Sequence, residues 1–208
     1  PPGRDEPLQS ATDPFAPAWT GEELLFWADG LAYRPSDRSW HAIAPVPHDY
    51  ARAWTTSTEG RVHLLGLVSD SIPDAATSTI YDVASDTWTD PIPAPISGQW
   101  LGLAAAGDQV VAVDYAGKAA WLPASGGGWT ELPNVPIAEP LVDWLGVTGL
   151  PRRQGDGVLV TSDSGGWALP GGVGWVEVLG TPDRLRSHAA WADMVVAMTE
   201  TELWLYRP

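Results

Sequence analysis

The chain has 208 residues, no cysteine and a formal net charge of −15. That length gives one domain, at most two, large enough to bury a core without disulfides or metal. The acidity repels phosphate backbones and anionic lipid headgroups, so no nucleic-acid partner is expected and membrane surfaces are poor partners, and the missing cysteines exclude disulfides, thiolate metal sites and thiol nucleophiles.

Residues 5–14 (DEPLQSATDP) read as a short extended segment with a proline exit, similar to residues 131–136 (ELPNVP) farther along. A first unit follows, through Trp19 (AWTGEELLFW), a stretch from Tyr33 to Trp40 (GLAYRPSDRSW) and another proline exit (HAIAPVP). The second unit shows the grammar best. Residues 51–55 (ARAWT) predict one strand, and residues 61–68 (RVHLLGLV), β-branched, leucine-rich and too short for a helix, predict the next. Residues 78–83 (STIYDV) alternate as a third strand should. Ala84, Ser85, Asp86 and Thr87 then make a turn in which Asp and Ser can bond their own backbone. Trp88 opens a last short strand, closed by Pro91 and Pro93. A third unit (QWLGLAAAGDQVVAV, KAAWLPASGGGW, TELPNVP) and a fourth (VDWLGV, DGVLVTSDSGGWALPGGVGW, VEVLGTP) repeat this order. The glycines at 126–128 and 171–172 are hairpin glycines suited to positive φ. A fifth unit (HAAWADMVVAMTETELWLYRP) holds three of the four strands.

The aromatic residues set the period. Trp19, Trp54, Trp100, Trp144 and Trp191 step by 35, 46, 44 and 47 residues, and Trp40, Trp88, Trp129 and Trp175 by 48, 41 and 46. Tyr33, Tyr81, Trp121 and Trp167 stand seven or eight residues before that second family, with Tyr206 as the fifth. A period of 40 to 50 residues is the mark of a propeller or stacked array. The expected fold is therefore all-β: a β-propeller of about five four-stranded blades, a single domain over residues 1–208. The blades are expected near 15–47, 50–95, 97–136, 141–182, and 187–208 completed by 5–14. Closing the last blade with the N-terminal strand removes the unpaired edges of a linear array. The repeated tryptophans are expected to fill the interfaces between blades. Trp27, outside the three families, either extends a strand face or forms an exposed stacking platform.

The stretches Tyr33-Arg34-Pro35-Ser36-Asp37-Arg38-Ser39-Trp40 and Tyr81-Asp82-Val83-Ala84-Ser85-Asp86-Thr87-Trp88, each after a hydrophobic strand and before a proline-bounded one, resemble a kelch repeat. Units three and four match more loosely, with glycine-rich turns, and the paired glycine of kelch units is reduced to Ala28-Asp29-Gly30 and Ser164-Gly165-Gly166. The resemblance implies a propeller that binds proteins or other ligands through loops on one face. A minority of kelch propellers are enzymes, among them a copper radical oxidase and a sialic acid epimerase. The oxidase needs a cysteine cross-linked to tyrosine, and this chain has no cysteine.

Chemistry-bearing motifs are sparse. His41, His48, His63 and His188 make no metal-ligand spacing, and no nucleophile elbow, phosphate loop or calcium loop occurs. His63 is expected to be a hydrogen-bonded strand histidine, with His48 and His188 on connections. No cofactor, metal ligand or catalytic residue is assigned. The connections from a fourth strand to the next first strand carry His48, Asp49, Tyr50, Arg52, Gln99, Glu139, Asp143, Arg184, Arg186 and His188, and in a propeller these converge on one mouth of the channel. The connection at 69–78 should overhang the same mouth. The candidate ligand-binding residues are Arg52, Asp70, Gln99, Asp143, Arg186 and His188, the arginines taking carboxylate or hydroxyl groups and Asp143 taking donors. The insertion at 148–157, with Arg152 and Arg153, should face the opposite side.

The expected function is a non-enzymatic binding module for a protein segment or a carbohydrate. Two other classes stay open: a sugar-processing epimerase or hydrolase using His188 with Asp143 or Glu139 as acid and base, and a structural subunit of a larger envelope assembly. The lone lysine (Lys118) beside ten arginines, with abundant Ala, Gly and Pro, points to a GC-rich bacterial genome and a secreted or envelope setting. The chain starts at Pro1 without a signal-peptide pattern, so part of a natural N-terminus is expected to be missing. No apolar run approaches the roughly 18 residues that span a bilayer, so direct membrane insertion is not expected.

Overall fold

The computed structural model describes residues 17–68, 75–97, 101–114, 116–136, 145–149, 157–162, 165–170, 175–179, 185–191, 194–199 and 203–206. Their regular structure is β throughout, apart from one 3-10 turn at Trp27–Asp29. The chain divides into two compact units, Pro1–Pro93 and Ala94–Pro208.

In the first unit, β1 (Ala18–Trp19), β2 (Leu24–Phe26), β3 (Leu31–Arg34) and β4 (Ser39–Ala42) form an antiparallel sheet in chain order. β5 (Arg52–Thr58), β6 (Arg61–Leu67), β7 (Ala75–Asp82) and β8 (Thr87–Trp88) form the next, again in order. β6 does not alternate because both its faces are covered: Val62 through Leu67 are all buried. β7 starts at Ala75, three residues before the strand expected from sequence, because Thr77 and Ser78 find ladder partners in Gly66 and Leu65. The two sheets pack together. Ala18, Leu25, Ala32 and Ile43 of the first meet Val62 and Tyr81 of the second, and β1 runs beside β5.

β9 (Ile92–Ser97) carries the chain into the second unit. There β10 (Leu101–Ala106), β11 (Gln109–Asp114), β12 (Ala119–Pro123) and β13 (Thr130–Leu132) form a four-stranded meander. A second meander comprises β14 (Leu145–Gly149), β15 (Gly157–Ser162), β16 (Gly165–Pro170) and β17 (Val176–Leu179). β18 (Leu185–Trp191), β19 (Met194–Thr199) and β20 (Leu203–Tyr206) make a three-stranded sheet. Ala104, Ala106, Val111, Val113 and Val135 pack with Val160 of the following sheet. Within this unit β10 lies beside β14, and β14 beside β18.

Three local devices recur. Tyr33 stacks on Trp40 and Tyr81 on Trp88, with centroids 4.9 and 5.0 Å apart, each pair facing across the third and fourth strands of its sheet. Trp88 Nε1 donates to the Ala44 carbonyl at 2.9 Å and Trp175 Nε1 to the Pro133 carbonyl at 2.7 Å, each reaching the exit of the preceding sheet. Finally, the second-to-third-strand turn ends at a glycine of positive φ, Gly30 (+64°) or Gly117 (+80°). Its carbonyl accepts the N–H of the exit residue, Ile43 at 3.0 Å or Val135 at 2.8 Å. A side chain at such a φ meets steric strain, which is why glycine holds both turns.

Candidate binding site

Pro45 and Pro47 keep the chain extended as it leaves β4, because proline fixes φ and lacks an N–H to start a ladder. His48, Asp49 and Tyr50 follow, and the Ala51 N–H then donates to the Leu67 carbonyl at 2.8 Å, zipping the connection onto the end of β6. Gly66 makes room there. A Cβ on Gly66 would stand 2.3 Å from Tyr50 Cδ1, so the phenol ring lies directly on the strand. Tyr50 joins Trp27, Ala53 and Leu64 in one buried cluster. Trp27 is therefore core and not a stacking platform: only 2% of it is exposed, because the 3-10 turn folds its indole inward over β5 and β6.

Two buried polar atoms at this place lack a well-formed hydrogen bond, the hydroxyl of Tyr50 in the cluster and Thr77 Oγ1 beside it. They face each other at the end of the sheet where β5 and β7 begin and β6 ends. Burial raises the Tyr50 pKa, with Thr77 opposing weakly, so the phenol is a neutral donor. The exposed His48 ring sits edge-on to Tyr50, with centroids 6.1 Å apart. Arg52, half-buried, starts β5 opposite Leu67. Because side chains alternate along a strand, it projects from the face opposite Ala53.

The remaining candidate residues are placed as follows. Asp70, Gln99 and Asp143 lie outside the described residues, as do Glu139, Arg152, Arg153 and Arg184. Arg186 and His188 lie on β18, which starts at Leu185, so both are strand and not connection residues; their side chains are outside the described residues. Of the six candidates, Arg52 is the one whose side chain is placed.

Other titratable groups are absorbed by the fold. His63 is buried on β6, its Nε2 3.0 Å from Thr58 Oγ1 and its Nδ1 without a partner. Burial, with Arg61 nearby, pulls its pKa down to about 4, so it is neutral at pH 7. Glu23, buried on the first sheet, pairs with Arg34 and has His41 Nε2 at 3.6 Å. Asp114, buried at the end of β11, accepts the Ala116 and Lys118 N–H groups at 2.9 Å each and the Ser97 N–H at 3.4 Å; burial nonetheless raises its pKa. An Asp at a strand end followed three residues later by Gly117 is a turn signature that could have located this carboxylate from sequence. Glu23 gave no such signal, since its partners come from β3 and β4. Among the described residues no group of three His, Asp or Glu side chains is placed to hold a metal ion.

No protein-family model matches the chain, and no curated protein matches it in sequence.

Proposed function

We propose that the chain is a kelch-like β-propeller of about five blades, its last blade completed by residues 5–14, that acts as a non-enzymatic binding module for a protein segment or a glycan. The fold reading is supported by sheets built in chain order and by first strands that neighbour first strands, β1 by β5 in one unit and β10 by β14 by β18 in the other. Consecutive blades around a channel meet through their innermost strands in this way. The three-stranded last sheet fits an outer strand supplied from elsewhere in the chain.

The binding reading is carried by the buried Tyr50 and Thr77 hydroxyls in the connection that also delivers Arg52. A polar group of a ligand at this end of the sheet would give these hydroxyls a better partner than the poorly aligned contact they make with each other. Arg52, with Asp70, Gln99, Asp143, Arg186 and His188 from the other connections and β18, would line the rest of the mouth. A neutral phenol and a guanidinium fork bind and orient a ligand.

A thermal-shift screen of sugars, cell-wall fragments and short peptides tests the proposal. A ligand at about 100 times its Kd adds about 2.7 kcal/mol to the folded state. Arg52→Ala should cut the shift from a hit and Tyr50→Phe should reduce it further. A hit whose shift is the same in both variants binds elsewhere and overturns the proposed mouth.

A further inference from the structure

Trp40 and Trp88 hold the same place in two repeats. Each opposes a tyrosine in register, Tyr33 or Tyr81, with the rings tilted by 42° and 46°. Two residues before each stands a non-glycine residue of positive φ, Arg38 at +58° and Asp86 at +51°. The outer edge of the indole is where they differ. Trp88 and Trp175 donate to carbonyls in the proline-bounded exit of a preceding sheet, at Ala44 and Pro133. Trp40 makes no such bond among the described residues; it is 43% exposed, with Phe26 supporting its ring at 5.2 Å. An indole N–H is purely a donor, and the two counterparts define what it takes: the backbone carbonyl of an extended, proline-flanked segment.

We infer that Trp40 is the seat of this chain's own N-terminal segment, its Nε1 donating to the carbonyl of Leu8 or Gln9. The inference rests on the reading of residues 5–14 as an outer strand. Repeat arithmetic places the acceptor. Ala44 precedes Trp54 by 10 residues and Pro133 precedes Trp144 by 11, so counting back from Trp19 gives Gln9 and Leu8, directly after Pro7. The chain is long enough: the residues between Leu8 and Ala18 reach roughly 33 Å when extended, against about 14 Å across four strands. Charge agrees as well. In the second sheet Asp86 accepts the Ala44 N–H at 2.7 Å. The first sheet has Arg38 at that turn position, which accepts nothing and instead suits Asp5 and Glu6, just ahead of the acceptor.

The indole N–H signals of the 15N-labelled full chain test this, with the Trp40 signal identified by its loss in Trp40→Phe. Its solvent exchange should be roughly tenfold slower in the full chain than in a chain lacking residues 1–14, as expected for one ordinary hydrogen bond. A peptide of residues 1–14 added to the shortened chain should restore the protection, and a scrambled peptide should not, while the Trp88 signal stays unchanged. Equally fast exchange in the full and shortened chains overturns the seat. If the deletion still lowers the Tm in that case, the outer-strand reading survives; if the Tm also holds, both fall. Should the shortened chain not fold, Arg38→Glu in the full chain decides, because it repels Asp5 and Glu6. Faster Trp40 exchange supports the seat, and unchanged exchange overturns it.

Discussion

At Gly66 a single hydrogen atom decides whether Tyr50 can lie on β6. Alanine there puts a methyl 2.3 Å from the ring, and Tyr50 is wedged among Trp27, Ala53 and Leu64 with no room to slide. Gly66→Ala should therefore cost about 1–3 kcal/mol, the usual price of overpacking, measured by urea unfolding; a neutral outcome would mean that the ring does not rest on the strand. His63 makes the second residue-scale prediction. Its pKa falls from 6.5 in the unfolded chain to about 4 when folded, so the unfolded chain takes the proton more readily. Its contribution is full above pH 6.5 and is lost as pH falls toward 4. At about 1.4 kcal/mol per pH unit, the loss comes to roughly 3 kcal/mol. Asp37, Asp82 and Asp86, all shifted below 3.8, lose their contributions at lower pH, and the raised pKa of Asp114 acts in the opposite sense to His63. Comparing the chain with His63→Gln between pH 7 and 4.5 isolates the histidine: the variant should show the flatter fall in stability, and parallel curves would refute the assignment.

The turn between β7 and β8 works as a clamp on the neighbouring sheet. Asp86 accepts the Ala44 N–H and the Tyr81 hydroxyl, each at 2.7 Å, while Trp88 donates to the Ala44 carbonyl. The Ala44 bond chiefly, then the Tyr81 bond, holds the Asp86 carboxyl below its usual pKa. Because the clamp is exposed, its bonds are modest ones. Asp86→Asn keeps an acceptor and tolerates a left-handed φ, and should cost well under about 1 kcal/mol. Asp86→Ala loses both bonds and strains the turn, and should cost about 2 kcal/mol by denaturant unfolding. Asp86→Gly should fall between them; an alanine variant as stable as glycine would show that backbone strain is not part of the cost. The sequence announced this turn, through Ser85, Asp86 and Trp88, but not the clamp, whose partner lies 42 residues back. Strand order was legible for the same local reason: apolar runs, turns and prolines all act within one repeat. Burial was less so. Trp27 looked like a candidate for exposure because it breaks the aromatic period, yet it caps a turn that folds over the next sheet. Tyr50 stood among the connection residues as a polar group, and its burial depends on an empty position sixteen residues later, at Gly66.

For the whole chain the question is what covers the edge strands. A meander of separate sheets exposes an outer strand on each, and unpaired strand edges recruit other chains. In the third sheet β13 is three residues long, which leaves little ladder for an outside strand to join. Among the described residues the last sheet has three strands, with β20, four residues long, as its outermost one. Under the proposed closure, the N-terminal segment supplies the outer strand of that sheet. Deleting residues 1–14 then removes a ladder and uncovers apolar surface, costing several kcal/mol, on the order of 25 cal/mol for each Å² exposed. It also frees an edge. The shortened chain should melt at lower temperature and self-associate as its concentration rises, seen by sedimentation, and adding the 1–14 peptide should reverse both effects. A shortened chain with the Tm of the full one, monomeric at high concentration, would mean that β20 is not waiting for this strand. The high negative charge works in the same direction as closure: at −15, like charges oppose edge-to-edge pairing at low ionic strength, so self-association of the shortened chain should strengthen with added salt.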